Sequence, residues 1–549
     1  MNAKKLLALL LALVLCIGCF AACAGTNPEP TDEPSGSASE SGSQPSESTE
    51  FSYPMESGHS LSYWKYLGGN VAANYNSQAE TEIAKWLTEA TGIEIDWQDS
   101  HANTDEAYSL MLAETSYPDL IQHNVVSGYP GGSAAALADG VAIELNDIID
   151  QYCPNLKALL EANPEIDKMV KTDDGIYTFF PVVADANSTF SYASYLRADL
   201  LEEMGEEMPT TLEELHDLLV KVKQTYPDMI PWTTDWNGLF SYSVAAYAYG
   251  VGNIIASAKG FMRDDDGNVY FARSTENYKQ FLQTMNQWYT EGLLEPDVAS
   301  IASADVKAKM INGQAFMSDG WLTGSFQAVQ QAGHELNEKY QLAAIAPLGV
   351  NGKEATDCYT RFLVSGDGVT ITKDCKDIEA AARFLDYFYS EEGILLTNFG
   401  KEGISYNMVN GVPTYTEDVM KNYPEGWTPT QSICRYASVP DNGLGVTHPN
   451  YYAQTIVEDC CKEHLTLCAK LKNPLAHALP PLAYTAEESD TIGKITTNIT
   501  TAVAEWSLGF IMGTISFDQW DAYVATLEDM GLQQAIDINA AALARYNAR

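Results

Sequence analysis

Basic residues are scarce in this chain: 31 Lys and Arg stand against 74 Asp and Glu, a formal charge of −43. A surface that acidic repels phosphate backbones, which argues against any nucleic-acid partner and reads as solubility outside the cell. Beyond Cys23 no apolar run approaches the ~18 residues of a membrane-spanning helix, so the mature chain is expected not to cross a bilayer. Catalytic signatures are missing as well. There is no nucleophile elbow and no HExxH, and Gly128-Tyr129-Pro130-Gly131-Gly132 lacks the Lys-Ser/Thr ending of a phosphate loop. No internal repeat of roughly 20–50 residues is visible. After Cys23 come Cys153, Cys358, Cys375, Cys434, Cys460, Cys461 and Cys468. An odd, scattered set is no disulfide framework. Cys461, His464 and Cys468 share one helical face and could ligate zinc, but a small apolar core stripe explains them more simply. Neither metal nor cofactor is expected.

What is present begins at the N-terminus. Lys4 and Lys5 precede an apolar run from Leu6 to Ile17, and Phe20-Ala21-Ala22-Cys23 follows. A run this short, ending in small residues, reads as a secretory signal over residues 1–22 rather than a span, which needs ~20 apolar residues. The Phe-Ala-Ala-Cys ending resembles a bacterial lipobox, in which Cys23 is lipidated; ordinary cleavage after Ala22-Cys23-Ala24 is the alternative. From Ala24 to Glu50 the chain has no large apolar side chain. Such a segment cannot offset its ordering entropy, so residues 23–50 are expected to form a disordered tether averaging about 30 Å end to end. The body then works on the outer face of the cell membrane, lipid-anchored, with no other membrane contact.

The folded part opens with alternating elements. Strands are expected at Ser60–Trp64, Ile93–Trp97 and Asp119–Gln122, with helices near 79–90 and 106–114 between them, the signature of an open parallel α/β sheet. Ligands gather at the carboxyl ends of such strands. A second unit follows, with a strand at Ser194–Arg197, a capped helix from Thr211, an amphipathic helix over Tyr278–Glu291 stopped by Gly292, and a strand at Ala315–Trp321. Asp264-Asp265-Asp266-Gly267-Asn268 fails as a calcium loop, because its Gly is misplaced and the twelfth position lacks Glu. It reads as a hairpin turn between Phe261 and Phe271.

Several blocks together resemble the extracellular solute-binding proteins of ABC importers, family 1, and among them the larger LplA-like lipoproteins of Gram-positive bacteria. They are Tyr195-Leu196-Arg197-Ala198-Asp199-Leu200-Leu201, Pro209-Thr210-Thr211-Leu212-Glu213-Glu214-Leu215, Tyr289-Thr290-Glu291-Gly292-Leu293-Leu294-Glu295-Pro296-Asp297, Glu391–Gly400, and Phe510-Ile511-Met512-Gly513 with Trp520-Asp521-Ala522-Tyr523. The resemblance implies an α/β, two-lobed periplasmic-binding-protein-like fold of type II with an interlobe ligand cleft. Lobe 1 would combine 51–186 with 365–410, and lobe 2 would combine 187–364 with 411–549. It also implies a monomeric receptor that captures an oligosaccharide and presents it to ABC-importer permease subunits. A sugar offers flat C–H faces and a rim of hydroxyls, which suit aromatic rings and hydrogen-bonding side chains. The expected ligand contacts are therefore Tyr63, Trp64, Trp97, Asn124, Trp232, Trp236, Asp319, Trp321, Arg361, Trp427 and Arg435. A peptide ligand on the same layout is the alternative, and a surface-anchored glycoside hydrolase a more distant one.

Overall fold

The computed structural model describes residues 51–549 apart from 57, 102–103, 125, 127, 253–258, 356–357, 442 and 472–474. Cys23, the signal and the tether lie outside the described residues. The chain first lays down β1 (His59–Tyr66), β2 (Ile93–Ser100) and β3 (Leu120–Asn124). The helix Glu82–Thr91 between β1 and β2 starts where Thr81 Oγ1 accepts from Ala84 N, and it ends where Gly92 takes the left-handed conformation. After a helical stretch come β4 (Phe180–Val183), β5 (Tyr192–Arg197) and β6 (Ile230–Trp232). Next are the hairpin β7 (Phe261–Arg263) and β8 (Val269–Phe271), then β9 (Ala315–Trp321), β10 (Leu342–Ala344) and β11 (Asp367–Ile371). A second hairpin, β12 (Tyr406–Val409) with β13 (Val412–Tyr415), precedes the two-residue β14 (Gly445–Val446). The helix Ala486–Ile511 and two more, Trp520–Asp529 and Leu532–Ala548, complete the chain.

Two sheets organise these elements. The first has six strands in the order β14-β4-β11-β3-β1-β2, and the second four in the order β10-β5-β9-β6. The first sheet is parallel except for β11, which runs opposite to both β3 and β4. That reversal follows from the route: β11 enters this sheet from the far end, after the chain has built the second. β14 joins it by pairing Gly445 with Val182 and Val446 with Val183. Gly445 and Val446, which the resemblance assigns to the second lobe, thus hydrogen-bond to the first sheet.

The expected hairpin at Asp264–Asn268 is present, with Phe261 opposite Phe271. Asp264 closes the turn by accepting from the backbone amides of Asp266 and Asn268 and from Asn268 Nδ2. Cys461, His464 and Cys468 lie buried on the helix Asp459–Cys468, where Cys461 joins the apolar cluster around Tyr195, Phe326 and Leu342. The C-terminal helix is pinned by ions. Arg545 pairs with Asp173 and Glu488, and Arg549, nearly buried, pairs with the same Asp173 at 2.6 Å. Among the described residues no helix is long and apolar enough to cross a membrane.

Candidate ligand-binding cleft

At one edge of the first sheet, the carboxyl ends of β1, β3 and β4 and the amino end of β11 open into a cavity of 490 Å³. That is the position at which open α/β sheets present ligand sites, and the volume suits one. β1 brings Lys65 and Tyr66, β3 brings Gln122, His123 and Asn124, and β11 brings Asp367. Arg361 and Phe362 come from the passage between the sheets, Asp441 from a short turn at Val439–Asp441, and Tyr451 and Tyr452 from the helix Pro449–Thr455. Gly68 makes room for Asp441: a Cβ there would overlap the carboxylate.

The floor is polar and only partly satisfied. Asn124 Nδ2 donates to the Ser365 carbonyl and to Asp367 Oδ1, each at 3.2 Å, and Ser365 Oγ donates to Asp367 Oδ2 at 2.6 Å. Gln122 is oriented from inside the sheet by Tyr63, whose hydroxyl donates to its Oε1 at 2.8 Å. Two buried atoms have no hydrogen-bond partner, Arg361 Nε and Asp441 Oδ2. Orphaned buried polar groups are costly, so these two atoms leave the floor incompletely satisfied. Lys65 is only 4% exposed. Burial pulls its ammonium below the ordinary lysine range, opposed by the charges of Asp441 and Asp99.

An aromatic wall adjoins this floor. Tyr192 opens β5 and Trp321 closes β9, paired in register where the two central strands of the second sheet end. With Tyr242 and Tyr359 they form a cluster in which every pair of ring centroids lies 4.5 to 6.0 Å apart. Trp321 is 47% exposed, an uncommon state for an indole in such a cluster. Phe362 lines the cavity and also packs on this cluster. Arg361 lies close enough to the hydroxyls of Tyr359 and Tyr452 to hold their pKa down against burial, which raises both. The segment 359–362 thus joins wall to floor. A second cavity of 240 Å³ shares Ser365 with the first and lies between the Gly128–Gly132 loop and the helix Ala486–Ile511.

The sequence-predicted contacts fall in different places. Asn124 and Arg361 line the cavity, and Trp321 belongs to the wall. Tyr63 and Trp97 stack on each other at 5.0 Å within the first sheet, and Trp64 is buried against Tyr108. Trp232 is fully buried, and its Nε1 donates to Asp319 at 2.8 Å. Asp319 therefore faces the interior, where Ser194 Oγ also bonds it at 2.5 Å. Trp427 packs edge-on against Tyr75, and Arg435 pairs with Glu82 at 3.7 Å. Trp236 lines a third cavity, away from the cleft. Sequence reasoning passed over Lys65, Tyr66, Gln122, Asp367 and Asp441 on the floor, and Tyr192, Tyr242 and Tyr359 on the wall; it placed His123 at a strand end without including it among the expected contacts. The only signal for the first three was their place just past Trp64 and Ile121, where strand ends were expected to carry ligand contacts.

This arrangement is that of a binding protein, and the comparisons agree. The profile described as bacterial extracellular solute-binding protein matches residues 72–394, more than half of the chain, which belongs to that family. The chain is 23% identical over 524 residues to the fructooligosaccharide ABC transporter substrate-binding protein FusA of Streptococcus pneumoniae, covering 90% of this chain and 92% of that one. It is 24% identical over 359 residues to the lipoprotein LipO of Bacillus subtilis, covering 61% of this chain and 65% of LipO. Among solved structures, the alginate-binding protein AlgQ2 superposes with a TM-score of 0.74 at 20% identity, covering 89% of this chain and 99% of AlgQ2. FusA in complex with kestose gives 0.71 at 20%, with the same coverage. The fold is the two-lobed α/β type II binding-protein fold.

Proposed function

We propose that this protein is a lipid-anchored receptor that captures an oligosaccharide between its lobes and hands it to an ABC importer. The observation that carries the reading is the four-ring wall with its half-exposed Trp321, set beside a floor whose donors and acceptors are incompletely used. Rings suit the C–H faces of sugars, and the floor suits their hydroxyls. The relatives FusA and AlgQ2, named for fructooligosaccharide and alginate, support the same ligand class. The strand pairing supports grouping β1 to β4, β11 and β14 in lobe 1 and β5, β6, β9 and β10 in lobe 2. Ligand bound between them favours the closed state, which the permease reads. Anchoring through Cys23 rests on the lipobox-like sequence and is supported by the likeness to LipO.

The test is a thermal-shift screen of the mature chain against neutral and acidic oligosaccharides and a peptide library. A ligand that binds only the folded state raises the melting temperature. One glycan class is expected to do so, with the shift lost in Trp321→Ala. Stabilisation by peptides alone would move the claim to peptide capture. Mass spectrometry of the membrane-extracted protein is expected to show a diacylglyceryl group on Cys23, and a free Gly25 N-terminus would refute the anchor.

A further inference from the structure

The chain has eight arginines, and in so acidic a protein most are paired. Arg197, Arg383, Arg435, Arg545 and Arg549 each meet a carboxylate, and Arg263 donates to the Ala476 carbonyl. Among the described residues, two have a buried Nε without a hydrogen-bond partner. One is Arg361, in the cleft. The other is Arg273, which lines a separate cavity of 450 Å³ that shares no residue with the cleft floor.

The lining of that cavity is chemically specific. Arg273 and Lys259 supply two positive charges, and no carboxylate lines it. Trp236 and Phe240 form an aromatic side, their centroids 4.2 Å apart. The helix Ala486–Ile511 presents Thr496, Thr497, Thr500 and Thr501. Three of these already donate their hydroxyl protons to backbone carbonyls one turn back, Thr496 to Ile492, Thr497 to Gly493 and Thr501 to Thr497. Their oxygens remain as acceptors.

That pattern selects a ligand class. A bare phosphate or sulfate would find the cations but offers no C–H face to Trp236 and Phe240. A neutral sugar would satisfy the threonines and leave the guanidinium unpaired. A ring that carries both a carboxylate and hydroxyl protons uses every group: the acid on Arg273 and Lys259, the hydroxyls on the threonines, the C–H face on Trp236. We propose that this cavity is a second binding site, sharing no lining residue with the cleft floor, for a sugar acid, a hexuronate or a glycan ending in one. Lys259 and Thr496 also line the 240 Å³ cavity, so a longer chain attached to the ring has somewhere to go.

The proposal stands whether or not the cleft takes a glycan. Isothermal titration of the mature chain with glucuronate, galacturonate, glucose, acetate and inorganic phosphate tests it. At least one hexuronate is expected to bind, glucose and phosphate not, and raising salt to weaken binding. Arg273→Gln is expected to weaken hexuronate binding at least tenfold, and Thr500→Val a few-fold, while the thermal shift produced by the cleft ligand is unchanged. Thr500→Val keeps the test open should Arg273→Gln fail to fold. Failure of both hexuronates to bind, equal binding of phosphate or acetate, or loss of hexuronate binding in Arg361→Gln instead of Arg273→Gln would each overturn the assignment.

Discussion

Replacing Asp319 by Asn should stabilise the protein most at pH 8 and least at pH 5. Asp319 is 6% exposed, inside the second sheet. Burial raises its pKa from 3.8 to about 7, although hydrogen bonds from Ser194, Trp232 and Thr234 work the other way. An aspartate in the unfolded chain titrates near 3.9. Between roughly pH 4 and 7 the native state therefore holds a proton that the unfolded state has released. Stability falls as pH rises through that window, and above it the native state carries the full cost of ionising a buried acid. The interval from 3.8 to about 7 corresponds to at most about 4 kcal/mol, at ~1.4 kcal/mol per pH unit. Asparagine is neutral throughout, and its Oδ1 can accept from Trp232 Nε1 while its Nδ2 donates to Ser194 Oγ. Guanidinium unfolding of both proteins at pH 5, 6, 7 and 8 measures the difference. Wild-type stability should decline relative to the variant by about 2–3 kcal/mol across the series. Parallel pH profiles, or a variant less stable at every pH, would show that the carboxylate is ionised and welcome where it sits.

Three further outcomes follow from the geometry. Trp321→Ala should weaken glycan binding about tenfold, as expected for loss of one stacking face, with the melting temperature of the free protein barely moved because the indole is half exposed; titration calorimetry beside calorimetric melting separates the two. Lys65→Met removes a buried ammonium and should stabilise the free protein by about 1–3 kcal/mol while lowering ligand affinity at least tenfold, a trade checked by denaturation and titration of the same variant. Arg549→Ala strips Asp173 of one of its two guanidinium partners and frees the carbonyls of Lys168 and Lys171, and should cost about 3 kcal/mol in chemical denaturation; an unchanged midpoint would show that Arg545 alone holds the C-terminal helix.

Much of the scaffold is legible because periodicity is local. The strand expected at Ala315–Trp321 has those bounds, and the helix after Thr211 runs to Thr225 as the Pro227 stop implies. The cleft is harder to read because its members are distant in sequence. Asp441 meets Asn70 across 371 positions, and nothing near Asp441 announces that Gly68 has left space for it. The tryptophans misled for a different reason. Trp64 and Trp232 lie at strand ends, but in a pleated strand neighbouring side chains point to opposite faces, and theirs point inward. Lys65, the very next residue, enters the cavity. Tyr192, Tyr242 and Tyr359 come from three separate segments, and only the pairing of Tyr192 with Trp321 brings the first of them to the wall.

The reversed strand β11 has a consequence for how the molecule is made. It lies between β3 and β4, and Asp367 follows its partner Asn124 by 243 residues. Until the ribosome has delivered it, β3 and β4 each present a bare edge and cannot close on one another. Pairing this remote is slow, since the intervening loop must be closed before any contact rewards it. The central sheet of this protein therefore stays unclosed through most of its synthesis, and its two halves join only after the chain has passed residue 371.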